Sequence, residues 1–287
     1  NGEPASFAKK DHCIYATSRT WIVRRRPRMT KETLVKTHTI VLAMAASIAA
    51  TTSVPAADFV LVSEGQPQVE IVLAENQAAG PVLFAVQELQ RYVKGMSGAS
   101  LPVVQVAADR PAIVVTADPK AAAAMGADTL AAGNEDRYLL QVGEKRIYLV
   151  GTSPRAALFA TYDLLERLGC GWCVPGDDTI PKRATLSLST VKVDTTPAFQ
   201  YRMMLDYPLM SVAQSIAIVD WIAKNRMNWV HPCPNAMGEP KEWFDRRDRV
   251  VPEIRKRGLN VIFGGHTMHT WLSPDYAKEH PDWFAYN

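Results

Sequence analysis

Short β-branched runs alternate with stretches of helical period along this chain, and the alternation changes character at Thr195-Thr196-Pro197. That change constrains the fold more than any single motif. Before it, apolar runs at 59–62, 69–73, 101–106, 112–115, 138–142 and 147–150 are bounded by Gly, Pro, Asp or Asn and read as strands. Two helices sit among them. Val82, Leu83, Val86, Leu89, Tyr92 and Val93 keep the spacing of a buried helical face, with a stop at Lys94-Gly95. The second helix has Ser153 as N-cap, Pro154 at its first position, Leu158, Tyr162, Leu165 and Leu168 in period, and Gly169 as its end. The order predicts a mixed β-sheet domain with two main helices, α/β or α+β in class, over residues 57–196.

After Pro197 the pattern becomes strand (199–206), helix (212–225), strand (228–231), helix (243–257) and strand (260–264). Repeated strand–helix units predict a parallel sheet, either an open doubly wound one or a (β/α)8 barrel. A barrel takes about 250 residues, so residues 197–287 hold its first three or so βα units, truncated. The non-Met start and the end inside a repeating pattern make the chain read as a fragment.

The N-terminus has its own logic. Met29 opens a segment with a basic start (Lys31, Lys36), an uncharged apolar run from about Thr39 to Ala50, and a small-residue exit at Val54-Pro55-Ala56. This reads as a signal peptide, 29–56, with Ala57 as the mature start and a secreted or periplasmic destination. The alternatives are a single membrane anchor, for which the apolar run is short of the roughly 20 residues a bilayer needs, and a twin-arginine signal at Arg24-Arg25-Arg26. Residues 1–28 then read as an unstructured upstream extension. Nine Lys/Arg against three Asp/Glu within residues 1–38 exceed the whole chain's net +3, so the remainder is net negative. A nucleic-acid partner and stable membrane insertion after cleavage are therefore not expected.

Cys170-Gly-Trp-Cys173 has the spacing of a redox pair, but it follows a helix where such a motif should open one. Its readings are a redox site, a local disulfide, or small buried thiols. The turn Gly151-Thr152-Ser153-Pro154 leads from a strand into a helix with one Gly and no following Gly-Lys, which favours ordinary capping over phosphate binding. No cofactor and no metal site is expected.

Several blocks carry a resemblance: Ala74-Glu75-Asn76 before the first helix, Leu149 to Ala157, Leu164-Leu-Glu-Arg-Leu-Gly-Cys-Gly-Trp172, Val174-Pro175-Gly176 and Ile180-Pro181. Together they resemble the N-terminal domain of α-glucuronidases, a domain type that also precedes the barrel in β-hexosaminidases and in a bacterial family of largely unassigned secreted proteins. Phe199-Gln-Tyr-Arg202 through Asp206 is similar to the first barrel strand of β-hexosaminidases, with departures at Met203 and, further on, at Cys233. Residues 218–231 and 254–262 resemble the next helix-to-strand blocks, and His280-Pro-Asp-Trp-Phe-Ala285 a segment of the unassigned family. The resemblance implies a glycoside hydrolase acting on glucuronic-acid or N-acetylhexosamine-containing glycans, with a glycan-binding or surface-assembly protein of the same architecture as the alternative.

Candidate site residues follow from strand geometry. Gln200, Arg202, Met204 and Asp206 share a face, expected to be the barrel interior, where a guanidinium can grip vicinal hydroxyls or a uronate. An internal Arg202–Asp206 ion pair is the other reading. His231 ends the second strand, and His266 and His269 follow the third, positions suited to sugar-hydroxyl contact at the carboxyl ends of the strands. Trp271 is a further aromatic candidate. Glycoside cleavage needs two carboxyl groups, and no convincing pair is present, so the catalytic acid and base are expected beyond residue 287 and the fragment alone is expected to be inactive.

Overall fold

The computed structural model describes residues 58–74, 80–131, 133–206, 211–232, 240–262 and 275–283, all of them within one compact unit, Ala56–Asn287. The proposed signal peptide and the upstream extension lie outside the described residues.

In chain order the elements are β1 (Phe59–Ser63), β2 (Gln66–Pro67), β3 (Glu70–Val72), α1 (Gly80–Ser97), β4 (Val103–Val104), β5 (Ala112–Thr116), α2 (Pro119–Ala124), β6 (Tyr138–Val142) and β7 (Arg146–Gly151). There follow α3 (Pro154–Arg167), β8 (Gly171–Val174), β9 (Asp177–Thr179), β10 (Leu186–Leu188) and β11 (Val191–Thr195). The last group is β12 (Met203–Asp206), α4 (Val212–Lys224), β13 (Trp229–Pro232), α5 (Pro240–Lys256) and β14 (Asn260–Val261), before a short helix Tyr276–Glu279.

Six strands make the central sheet in the order β11-β6-β7-β5-β3-β4. β3, β4, β5 and β7 run parallel, whereas β6 and β11 are antiparallel to their neighbours, so the sheet is mixed as expected. Strand alternation divides the apolar side chains between two layers. Ile71, Ile113, Val115, Leu140, Ile147 and Leu149 face α1 and α3, while Val72, Val114, Leu139, Tyr148 and Val150 face the layer of α2. Helix α3 starts as its sequence dictates: Ser153 Oγ accepts from Ala156 N at 3.2 Å, and Pro154 stands where no N–H is needed. It ends at Gly169, whose φ of +97° is the left-handed geometry that glycine adopts freely.

Beyond Pro197, β12-β13-β14 is a three-stranded parallel sheet crossed by α4 and α5, in a register that places Met203 beside Trp229 and Trp229 beside Asn260. Helix α4 begins with a reciprocal capping box between Ser211 and Gln214. These three strands are the βαβαβ arrangement expected of the region, and they do not by themselves close a barrel. Ile218, Val219, Ile222, Val230, Val250 and Ile254 belong to the same buried cluster as Leu89, Phe159 and Leu165. One core therefore runs through both parts.

Candidate functional site

The join between the two parts is built from buried charge. Asp136, in the turn before β6, is 1% exposed and receives three donors. Arg155 Nε reaches Oδ1 at 2.7 Å, and Arg202 Nη2 and Asn228 Nδ2 reach Oδ2 at 2.6 and 2.8 Å. A buried carboxylate is tolerable only with partners of this kind. The same arginines extend the join. Arg155 Nη1 donates to Gly258 O at 2.5 Å, and Arg202 donates to the carbonyls of Arg226 and Phe199. Arg226 in turn forks onto Glu166 of α3.

A second junction lies under β8 and β9. Lys224, 1% exposed, donates to both carboxylate oxygens of Asp178 at 2.9 and 2.8 Å and pairs with Asp220. Tyr92 Oη also donates to Asp178, at 2.5 Å, and Arg257 donates to Asp220 at 2.7 Å. Burial works to raise the Asp220 carboxyl, but Arg257 and Lys224 prevail and hold it below the ordinary carboxylate range.

These contacts correct the placement expected for Arg202. It precedes β12, at the amino end of the strand, and its guanidinium is held by protein acceptors. The face it was assigned to is also the other one. Met204 packs against the core shared with α4 and α5, so that side of β12 is covered by helices and is not the open interior. Among the described residues the carboxylate partner of Arg202 is Asp136, which sequence reasoning missed; the pairing with Asp206 falls on a side chain outside the described residues. The only signal was an acidic turn, Asn134-Glu135-Asp136, with nothing to connect it to an arginine 66 residues away.

At the opposite, carboxyl end of this sheet His231 stands on β13 beside Leu205 of β12. It is 9% exposed, and among the described residues its Nδ1 has no hydrogen-bond partner. Val230 next to it faces the helices, so His231 lies on the other face. Asp206 closes β12 on that same end, with its side chain outside what is described. His266, His269 and Trp271 also lie outside the described residues. The structure thus brings His231 and the end of β12 together and leaves the grouping with the later histidines as an expectation.

The Cys170/Cys173 motif is not a redox pair or a local disulfide. Cys170 is a free, buried thiol that burial pushes up to about 12, whereas Cys173 is disulfide-bonded, so the two are not paired with each other and the reading of two buried thiols holds for Cys170 alone. At Gly151 a Cβ would lie 2.2 Å from Ala157 N and 2.5 Å from Ser153 O. That glycine is there for the close approach of α3 to the strand, in keeping with capping. Among the described residues, no three His, Cys, Asp or Glu side chains converge as metal ligands, and no helix is long and apolar enough to cross a membrane.

Residues 62–164, which span the strands and helices from β1 to α3, match the family model of the glycosyl hydrolase family 67 N-terminus. The chain carries a glycoside-hydrolase-type N-terminal domain. Solved structures agree with that domain in fold. A family GH115 4-O-methyl-α-glucuronidase with specificity for decorated arabinogalactans superposes with a TM-score of 0.54 at 18% identity, over 70% of this chain and 29% of its own. CpGH84B superposes with a TM-score of 0.51 at 14% identity, over 72% of this chain and 34% of its own. The chain thus spans about a third of the length of these structures. No curated protein matches it. The glycoside-hydrolase-type domain is the part that Asp136, Arg155 and Glu166 tie to the β12–β14 sheet.

Proposed function

We propose that this is the front part of an exported glycoside hydrolase acting on glucuronic-acid or N-acetylhexosamine-containing glycans, with the substrate held at the carboxyl ends of β12, β13 and β14. The observation that carries the reading is the glycoside-hydrolase-type domain at 62–164 followed directly by a parallel βαβαβ unit locked onto it. Parallel βα folds place their sites at the carboxyl ends of the strands. His231, whose Nδ1 has no hydrogen-bond partner among the described residues, is the residue offered there, and His266 and His269 are its proposed companions on chain order; Asp206 is left out because strand alternation puts it with Met204 on the covered face. Arg202 is left out, because its donors are committed at the other end.

A disulfide at Cys173 suits an oxidising compartment and so supports export. The glycan partner follows from the domain type, and nucleic acid is left out on charge.

The test uses the complete gene product. Aryl glucuronides and aryl N-acetylhexosaminides are assayed, and the secreted protein is sequenced from its N-terminus. Turnover of one class, with a mature start at Ala57, is the expected result. Saturable glycan binding without turnover of any aryl glycoside would favour a non-catalytic binder instead.

A further inference from the structure

A cavity of about 440 Å³ opens at the amino ends of β12, β13 and β14, against the turn at 133–136 of the first domain. It is on the opposite end of the sheet from His231. We propose that it is a second saccharide site, built for an uncharged pyranose, apart from the carboxyl-end site; only the choice of glycans as ligand class rests on the reading above.

The lining chemistry argues for it. Tyr201 is 62% exposed, and its ring lies 5.7 Å from that of Trp229 at an interplanar angle of 60°. The two rings form an angled aromatic corner, a shape that takes the C–H face of a sugar while the polar tips stay wet. Around it stand the amides of Gln200 and Asn260 and the carboxylate of Glu135. Among the described residues the Gln200 and Asn260 amides, the Tyr201 hydroxyl and the Trp229 indole N–H make no hydrogen bond to a protein group. They remain available for ligand hydroxyls. The volume falls in the range of small-ligand pockets, about 300–1,000 Å³.

Charge then selects the ligand. Among the described residues no Lys or Arg lines the cavity, whereas Glu135 and Asp136 do. The nearby arginines, 155 and 202, are held by Asp136 in the floor. Arg155 also pairs with Glu135, so the cations near the cavity are already committed to carboxylates and a phosphate or a uronate would find none free to receive it; the anionic sugar suited to an α-glucuronidase is therefore disfavoured here. A neutral pentose, hexose or N-acetylhexosamine meets no such cost. The floor is also rigid, because Asn228 bridges Asp136 and the Gln200 carbonyl at 2.8 Å each.

The complete protein is titrated with xylobiose, N-acetylglucosamine, glucuronic acid and spermidine, read by saturation-transfer NMR and calorimetry, in the wild type and in Tyr201→Ala, Asn260→Ala and His231→Ala. Melting curves check that each variant folds. The expected result is saturable binding of a neutral saccharide, weakened about tenfold or more by Tyr201→Ala, which corresponds to about 1.4 kcal/mol, and by Asn260→Ala, but kept in His231→Ala. Loss in His231→Ala with none in Tyr201→Ala would overturn the cavity while leaving the carboxyl-end reading intact. No neutral saccharide binding, or spermidine competing for the cavity, would overturn it as well. Binding at Tyr201 in a protein that turns over no aryl glycoside would keep the cavity and remove the hydrolase.

Discussion

Asp136 is the residue on which the join depends. It pairs with both Arg155 and Arg202, whose side chains are 7% and 16% exposed, so truncating it takes a carboxylate from two poorly solvated cations and leaves Arg155 with Glu135 at 3.4 Å. Breaking a buried pair from one side costs about 3–5 kcal/mol, and Asp136→Ala should lower the unfolding free energy by that order, read as a lower urea midpoint at unchanged slope, with Asp136→Asn losing less because it keeps an acceptor. Cys170 makes a second residue-scale prediction. With its thiol pushed up to about 12 by burial, it stays protonated at neutral pH and out of reach. Iodoacetamide should therefore label Cys170 in urea and leave it unlabelled in the native protein, as peptide mass mapping would record. Labelling in the native state would restore the redox reading.

Among the elements, α3 shows how local rules and close packing divide the work. Ser153→Ala removes one cap hydrogen bond and should cost about 1 kcal/mol. Gly151→Ala two residues earlier should cost clearly more, since the added methyl would press on the backbone of Ser153, Ala156 and Ala157. Thermal denaturation of the two variants side by side checks the order. Helix α3 was legible because its signals are local. Helix α2 was equally marked, by Asp118 accepting from Lys120 N and Ala121 N, Pro119 at its start and a run of alanines, yet its lack of large apolar residues hid it from a search by period. Strands β8 to β11 were missed for a different reason. Those such as β11, VKVDT with partly exposed alternate positions, lie at edges or in hairpins and carry little buried apolar signal.

For the molecule as a whole, the shared core and the two charge junctions make folding of the parts interdependent, and acid should report on it. Asp220 is held below its ordinary value in the folded state by Arg257 and Lys224, against the opposing effect of burial. A depressed carboxyl adds stability that is fully present above the unfolded value of about 3.9 and is lost as pH falls through the lower folded value. Melting temperatures measured from pH 7 down to pH 3 should thus drop most steeply below about pH 4. Asp220→Asn should start lower at pH 7 and fall less over that interval. An unchanged slope would mean that the Asp220–Arg257–Lys224 junction contributes nothing.

What the sequence determined by itself was the inventory and order of the main elements: a mixed α/β domain capped at Ser153 and Gly169, a change of period at Pro197, then strand and helix in turn. Those are set by short-range rules of period, capping and backbone freedom. The direction of β12 was beyond their reach. A period of two says that Gln200, Arg202 and Met204 share a face, but only the packing of α4 and α5 decides that this face is the covered one. The partner of Arg202 was likewise decided in three dimensions, because a buried guanidinium takes whatever carboxylate the fold brings within reach, and here that is Asp136 of the turn before β6.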